Sequence, residues 1–283
     1  MRCAGALLAA CLAACSGCRR AGPEERFDAV DDRAPAPARI VSLVPSATEV
    51  LFALGAGDRV VAVSAFDDFP PEVASRPRIG GMLRLSYEGL TALRPDAVVG
   101  VQGPTDLAVL RRLRAAGVRV VMPRVESVAE LDASIDLFGR LVHRPAEAAA
   151  LRARIAADLA VVRSRAATHP RVRVAAVFSR RPITAAGPGS WVDEVLAVAG
   201  GDNVVRAGGR YPALSAEALA SLRPAVILDF AWMGEAADAG EGLDLPGAAG
   251  ARVLRFADPV FLRPGPRVAE AARRIADALA PAP

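Results

Sequence analysis

Four cysteines, two histidines and a repeated serine–glutamate pattern are the residues of this 283-residue chain whose types and spacing could carry chemistry. The cysteines, Cys3, Cys11, Cys15 and Cys18, all fall at the start of the chain. Beyond Cys18 the chain offers no thiolate for a nucleophile, a disulfide or a metal–sulfur site. His143 and His169 flank a long helical pattern beside Arg144 and Pro170, which suits surface positions better than a paired metal or acid–base site. Neither a Gly-x-Ser-x-Gly elbow nor a Gly-x-x-x-x-Gly-Lys phosphate loop occurs.

The strongest pattern is internal. Ser86-Tyr87-Glu88-Gly89-Leu90-Thr91-Ala92-Leu93-Arg94-Pro95 is echoed by Ser215-Ala216-Glu217-Ala218-Leu219-Ala220-Ser221-Leu222-Arg223-Pro224, each running into an aliphatic strand. Each copy reads as a short helix with a serine cap, a carboxylate in the first turn and proline just past its end. Two copies are also what convergent helix–strand punctuation would give, but a duplicated lobe explains the shared Ser-x-Glu-x-Leu-x-x-Leu-Arg-Pro pattern. Two similar lobes leave a cleft between them, where ligands collect.

The elements that must position these residues alternate. Strand-like runs at Ile40–Val44, Val60–Ser64, Ala97–Val101 and Val118–Met122 are separated by helical stretches near 47–55, 86–93, 105–116 and 127–141. A helical run from Pro145 to about Ala167 comes next, with proline in its first turn. The alternation then restarts with a strand at Val172–Phe178, helices near 191–199 and 215–222, strands at Val226–Phe230 and Arg252–Phe256, and a closing helix at Pro266–Leu279. Such alternation predicts an α/β fold of two Rossmann-like lobes with parallel sheets, joined by a long spine helix. The boundaries expected are 38–143 for the first lobe, 144–169 for the spine and 170–283 for the second. Val41-Ser42-Leu43-Val44-Pro45-Ser46-Ala47-Thr48-Glu49 reads as a strand-to-helix turn with Ser46 as N-cap and Glu49 completing a capping box. In a parallel lobe that turn lies on the ligand-collecting carboxyl edge.

The chain opens with Met1-Arg2 and an apolar run from Ala4 to Ala14 that is too short to span a bilayer. Residues 1–14 therefore read as a secretory signal, and Leu12-Ala13-Ala14-Cys15 resembles the lipobox that marks lipid attachment at Cys15. An ordinary signal peptide, or acylation at Cys11 or Cys18, stays open. Residues 15–37, polar and rich in proline and alanine, read as a flexible tether with order beginning near Arg39. The formal net charge is +4 and every basic residue is arginine, spread over the helices. No basic patch concentrates as a nucleic-acid interface would require.

The stretches Ile40–Glu49, Leu54–Ser64 and Asp68-Phe69-Pro70-Pro71, with Gly200-Gly201-Asp202-Asn203-Val204 and the closing Pro266-Arg267 helix, resemble the helical-backbone periplasmic binding proteins of ABC importers. Within that group the chain is most similar to the vitamin B12-binding proteins. The resemblance spans essentially residues 38–280. It implies a non-enzymatic lipoprotein, exported to the periplasmic side, that captures cobalamin or a related corrinoid in a cleft which moves little and hands it, as a monomer, to a two-fold symmetric permease. Ligand contacts carried over are the loop Pro45, Ser46 and Ala47, the aromatics Phe66, Phe178 and Tyr211, and Asp258, Phe261 and Arg263 of a second-lobe loop whose spacing differs by one residue. Met82 and Val101 stand where some relatives carry tryptophan, implying a less aromatic cleft. Glu88 and Glu217 match lobe-tip carboxylates that dock on permease arginines.

The same fold also serves haem and ferric siderophores. Haem would call for an axial Tyr or His, for which Tyr87 and Tyr211 are the candidates. A siderophore would call for convergent arginines, for which Arg263, Arg210 and Arg84 are available. A metal-cluster enzyme of the nitrogenase type on a similar two-lobed scaffold would need cysteine ligands that the body lacks.

Overall fold

The computed structural model describes residues 27–230, 248 and 250–280. The expected signal segment and Cys15 lie outside the described residues. The first lobe runs β1 (Ile40–Ser42), α1 (Pro45–Ala53), β2 (Val60–Ala62), α2 (Tyr87–Ala92), β3 (Ala97–Val99), α3 (Leu107–Ala115), β4 (Arg119–Val121) and α4 (Val128–Leu141). Its strands pair in the order β2-β1-β3-β4, all parallel. Ala97, Val98 and Val99 have no exposed surface, as expected of a strand covered by helices on both faces.

Helix α5 (Pro145–Ala166) is the spine, with Pro145 at its first turn where a missing N–H costs nothing. Its 22 residues span about 33 Å. Leu151, Ile155, Leu159 and Val162 recur every three or four positions and are buried, forming one stripe against α4 on one side and the second lobe on the other. A single apolar core therefore runs through both lobes.

The second lobe comprises β5 (Val172–Arg180), β6 (Ile183–Ala185), α6 (Trp191–Val198), β7 (Gly201–Asn203), β8 (Ala213–Leu214), α7 (Ala216–Ser221), β9 (Val226–Asp229), β10 (Arg252–Arg255) and α8 (Val268–Leu279). Its parallel strands β10-β9-β5, with β7 beside the start of β5, are the sheet expected. The antiparallel strands β6 and β8 extend it. With three and two residues, they are too short to leave a periodic pattern in the sequence.

The repeat is structural as well as sequential. Ser86 Oγ accepts from Gly89 N–H at 3.0 Å and Ser215 Oγ from Ala218 N–H at 3.1 Å. Both helices end on a non-glycine residue in the left-handed region, Arg94 at φ 47° and Arg223 at φ 46°. An arginine at the start of each lobe's first strand, Arg39 just before β1 and Arg173 within β5, caps the same helix. Arg39 Nη2 donates to the Leu93 carbonyl at 2.9 Å and Arg173 Nη2 to that of Leu222 at 2.6 Å. These carbonyls are left unpaired by the helix itself, so the duplication preserves a working cap and not only a string of letters.

One expectation is corrected. The stretch expected to be tether up to residue 37 is, from Phe27 onward, laid along the first lobe. Phe27 is buried in its core and its carbonyl accepts from Met122 N–H, while the carbonyls of Ala34 and Pro35 bond His143 and Arg119. A single phenylalanine in a polar stretch is the only signal of this that the sequence carries.

Candidate functional site

The loop after β2 and helix α1 meet the segment between β10 and α8, and the loop after β4 meets the loop between β7 and β8 and helix α6. On the first-lobe side Phe66 is 67% exposed and Phe69 38%, two large apolar rings left in water at a strand end. On the second-lobe side the aromatics are chained. Tyr211 meets Phe178 edge-on with centroids 5.7 Å apart. Phe178 packs on Phe230, and Phe230 stacks on Phe261 at 18°. Phe230 and Phe261 are buried while Tyr211 stays 41% exposed, so the chain runs from the core to an open aromatic rim. Burial and then the nearby Glu126 carboxylate raise the Tyr211 phenol above its ordinary value.

Charges cross the cleft in matched pairs. Arg267 Nε and Nη2 donate to Glu49 Oε2 and Oε1 at 3.0 and 2.9 Å. Arg263 bonds the Asp68 carboxylate through both terminal nitrogens and donates Nη2 to the Phe66 carbonyl at 2.8 Å. Arg210 lies 3.4 Å from Glu126. Glu194 of α6 accepts from Val128 N–H at the start of α4, at 2.7 Å. The three cleft arginines are each matched by a first-lobe carboxylate.

Behind Phe66 lies a buried polar cluster. Ser64 Oγ donates to Asp67 Oδ2 at 2.5 Å and Thr48 Oγ1 to Ser42 Oγ at 2.8 Å. Phe66 N–H in turn donates to Ser64 Oγ at 3.3 Å. Asp67 is 3% exposed and its Oδ1 has no partner among the described residues. Desolvation raises its carboxyl above the ordinary value, against the lowering pull of Ser64 and Thr48.

The expected site residues divide. Phe66, Phe178 and Tyr211 present ring surface to the cleft region. Pro45 and Ser46 open α1, but the N-cap is Val44 and no side chain caps it. The capping box expected of Ser46 and Glu49 is not formed, and Glu49 instead faces Arg267. Ala47 and Phe261 are 1% exposed, which makes both core residues in this conformation. Asp258 caps a 3-10 turn through Val260 N–H and pairs with Arg274. Burial opposes its ionisation, but these partners hold its carboxyl below the ordinary range. Arg263 is an interlobe brace. Phe69 lies beside Phe66 at the strand edge where the sequence places two aromatic rings, whereas Leu262, whose exposed apolar surface marks it in space, carries no signal in the sequence.

Glu88 and Glu217 sit at equivalent places on α2 and α7, both exposed. Arg112 approaches Glu88 at 3.7 Å and lies 3.8 Å over the Tyr87 ring, so Tyr87 packs under Arg112 beside Glu88. Glu217 is held below its ordinary pKa by its own backbone N–H and Ser215. His143 is bound to the Ala34 carbonyl at 3.0 Å, and His169 lies just past the far end of α5. A cavity of about 520 Å³ lies on the first lobe beside β4, lined by Phe27, Leu110, Met122 and Leu137; none of the cleft aromatics reaches it.

The family model described as periplasmic binding protein matches residues 40–244. A curated relative, the vitamin B12-binding protein of Vibrio cholerae serotype O1, is 28% identical over 195 residues, which cover 68% of this chain and 71% of that protein. Among solved structures, the periplasmic heme-binding protein of Roseiflexus sp. RS-1 in apo form aligns with TM-score 0.75 at 29% identity, over 87% of this chain and 98% of that one. The periplasmic vitamin B12-binding protein of Vibrio cholerae aligns with TM-score 0.72 at 25% identity, over 86% and 97%.

Proposed function

The chain belongs to the periplasmic binding protein family, and we propose that within it this protein captures cobalamin or a related corrinoid between its lobes and delivers it to the permease of an ABC importer. The family consists of substrate-binding proteins, not enzymes. The observation that carries the ligand reading is an aromatic cleft whose interlobe arginines are paired. Arg210, Arg263 and Arg267 are each matched by Glu126, Asp68 or Glu49, leaving none of the three free for a strongly anionic siderophore. Phe66, Phe69 and Tyr211 offer ring surface to a large, flat, amide-fringed ligand. The names of the curated relatives agree with this reading.

Haem is the second reading, favoured by the likeness to a heme-binding structure. It needs an axial side chain. Tyr87 lies under Arg112 and the histidines are engaged or distant, which leaves Tyr211, whose phenol is biased toward the neutral form. A corrinoid brings its own axial groups. Spectral titration of the purified protein with cyanocobalamin, haemin and a ferric siderophore separates the three: the reading requires saturation by cyanocobalamin, and haemin binding that is lost in Tyr211→Phe would replace it.

Delivery follows from the duplicated tips. A monomer docking on a two-fold symmetric partner benefits from the same acid on each lobe, and Glu88 and Glu217 supply it for permease arginines. Export with a lipid anchor at Cys15 would hold the protein on the periplasmic side near that permease.

A further inference from the structure

Phe66, the most exposed ring of the cleft, is not held by its own lobe alone. Arg263 of the second lobe donates to the Phe66 carbonyl at 2.8 Å and grips Asp68 on the same turn with both terminal nitrogens. Arg267 binds Glu49 through two parallel bonds and lies 4.1 Å over the ring of Phe69. Glu49 Oε1 is also 3.7 Å from Arg263 Nη1, with the two side chains only 2% and 12% exposed. Asp68, Arg263, Glu49 and Arg267 therefore form one row of alternating charge running from the aromatic wall of the first lobe into α1. At that depth solvent screening is weak, and forked arginine–carboxylate pairs fix orientation as well as distance.

We infer that Glu49, Arg263 and Arg267 are positioning residues, a charge clasp that sets the spacing of the lobes and the pose of the Phe66–Phe69 wall before ligand arrives. The inference rests on reading the interlobe space as the ligand site. It changes the role of Arg263, which acts through Phe66 and Asp68 and has no need to touch the ligand. It also gives a physical cause for capture with little closure, because a wall already fixed has less conformational freedom left to lose on binding.

The test is hydrogen exchange of the full chain, ligand-free, in wild type, Glu49→Gln and Asp68→Asn. Asp68→Asn removes a half-exposed partner and keeps the inference testable where loss of the buried Glu49 charge prevents folding. The clasp requires exchange to quicken about tenfold on both sides at once, at Ala65 and Asp67 in the first lobe and at Val268 in the second, while β3 and β4 stay protected. Uniform quickening, quickening on one side only, or no change would overturn it. With cyanocobalamin as probe, both variants should bind about five- to tenfold more weakly at unchanged stoichiometry. Unchanged affinity would refute the link to recognition. If wild type itself ignores cyanocobalamin, the ligand reading fails and the exchange pattern alone decides the clasp.

Discussion

The ring of Tyr211 stands edge-on to that of Phe178, centroids 5.7 Å apart and planes at 72°, which turns the end of the second-lobe aromatic chain into an open rim. On the first lobe it is the ring of Phe66 that stays largely exposed.

Phe66→Ala should therefore weaken cyanocobalamin binding about tenfold, the loss expected for one aromatic contact face. Its thermal midpoint should stay within about 1–2 °C of wild type, because the ring packs little of its own lobe. Calorimetric titration and a melting scan on the same sample check both.

Glu88→Arg and Glu217→Arg should leave ligand affinity unchanged and each weaken association with the permease about tenfold at low salt, with the difference shrinking as salt rises. Vesicle-reconstituted importer, titrated with each variant, measures it. Equal ligand affinity with equal permease binding would remove the docking role.

Asp67 gives a pH signature. Burial holds its folded carboxyl above the ordinary 3.8, so the folded chain retains that proton more tightly than the unfolded one. The stabilisation is complete below the unfolded value and is lost as pH rises through the folded value. Asp67→Asn, uncharged at every pH, should raise the melting temperature at pH 7 and remove the fall in stability that sets in as pH rises above the unfolded carboxyl's range.

Arg94→Gly and Arg223→Gly test the repeat as structure. Each arginine sits at a left-handed φ that costs a side-chain-bearing residue about 1 kcal/mol, partly offset by glycine's greater freedom when unfolded. Both variants should be stabilised by about 0.5 kcal/mol, and by similar amounts, in chemical denaturation. Opposite signs would show that the two caps are not equivalent.

How much of the fold and site is legible in the sequence depends on physical range. The parallel strands, the spine helix and the paired Ser-x-Glu helices are written in local periodicity and capping, and they stand where expected. Glu49 shows the limit. Its spacing from Ser46 reads locally as a capping box, but in space it faces Arg267, 218 residues away. A pair that distant leaves no local pattern, and the same holds for Arg263 and Asp68. The burial of Ala47 and Phe261 was not legible for a related reason: a resemblance carries over a position on a loop but not the depth to which its side chain is packed. The exposure of Phe66 and Tyr211 follows from their places just beyond strand ends, which the sequence does mark.

The central claim is that this cleft holds a corrinoid, and calorimetric titration of the purified protein with cyanocobalamin tests it most directly. Saturable one-to-one binding that weakens in Phe66→Ala is the result predicted; no heat with cyanocobalamin beside saturable binding of haemin or a ferric siderophore would contradict it.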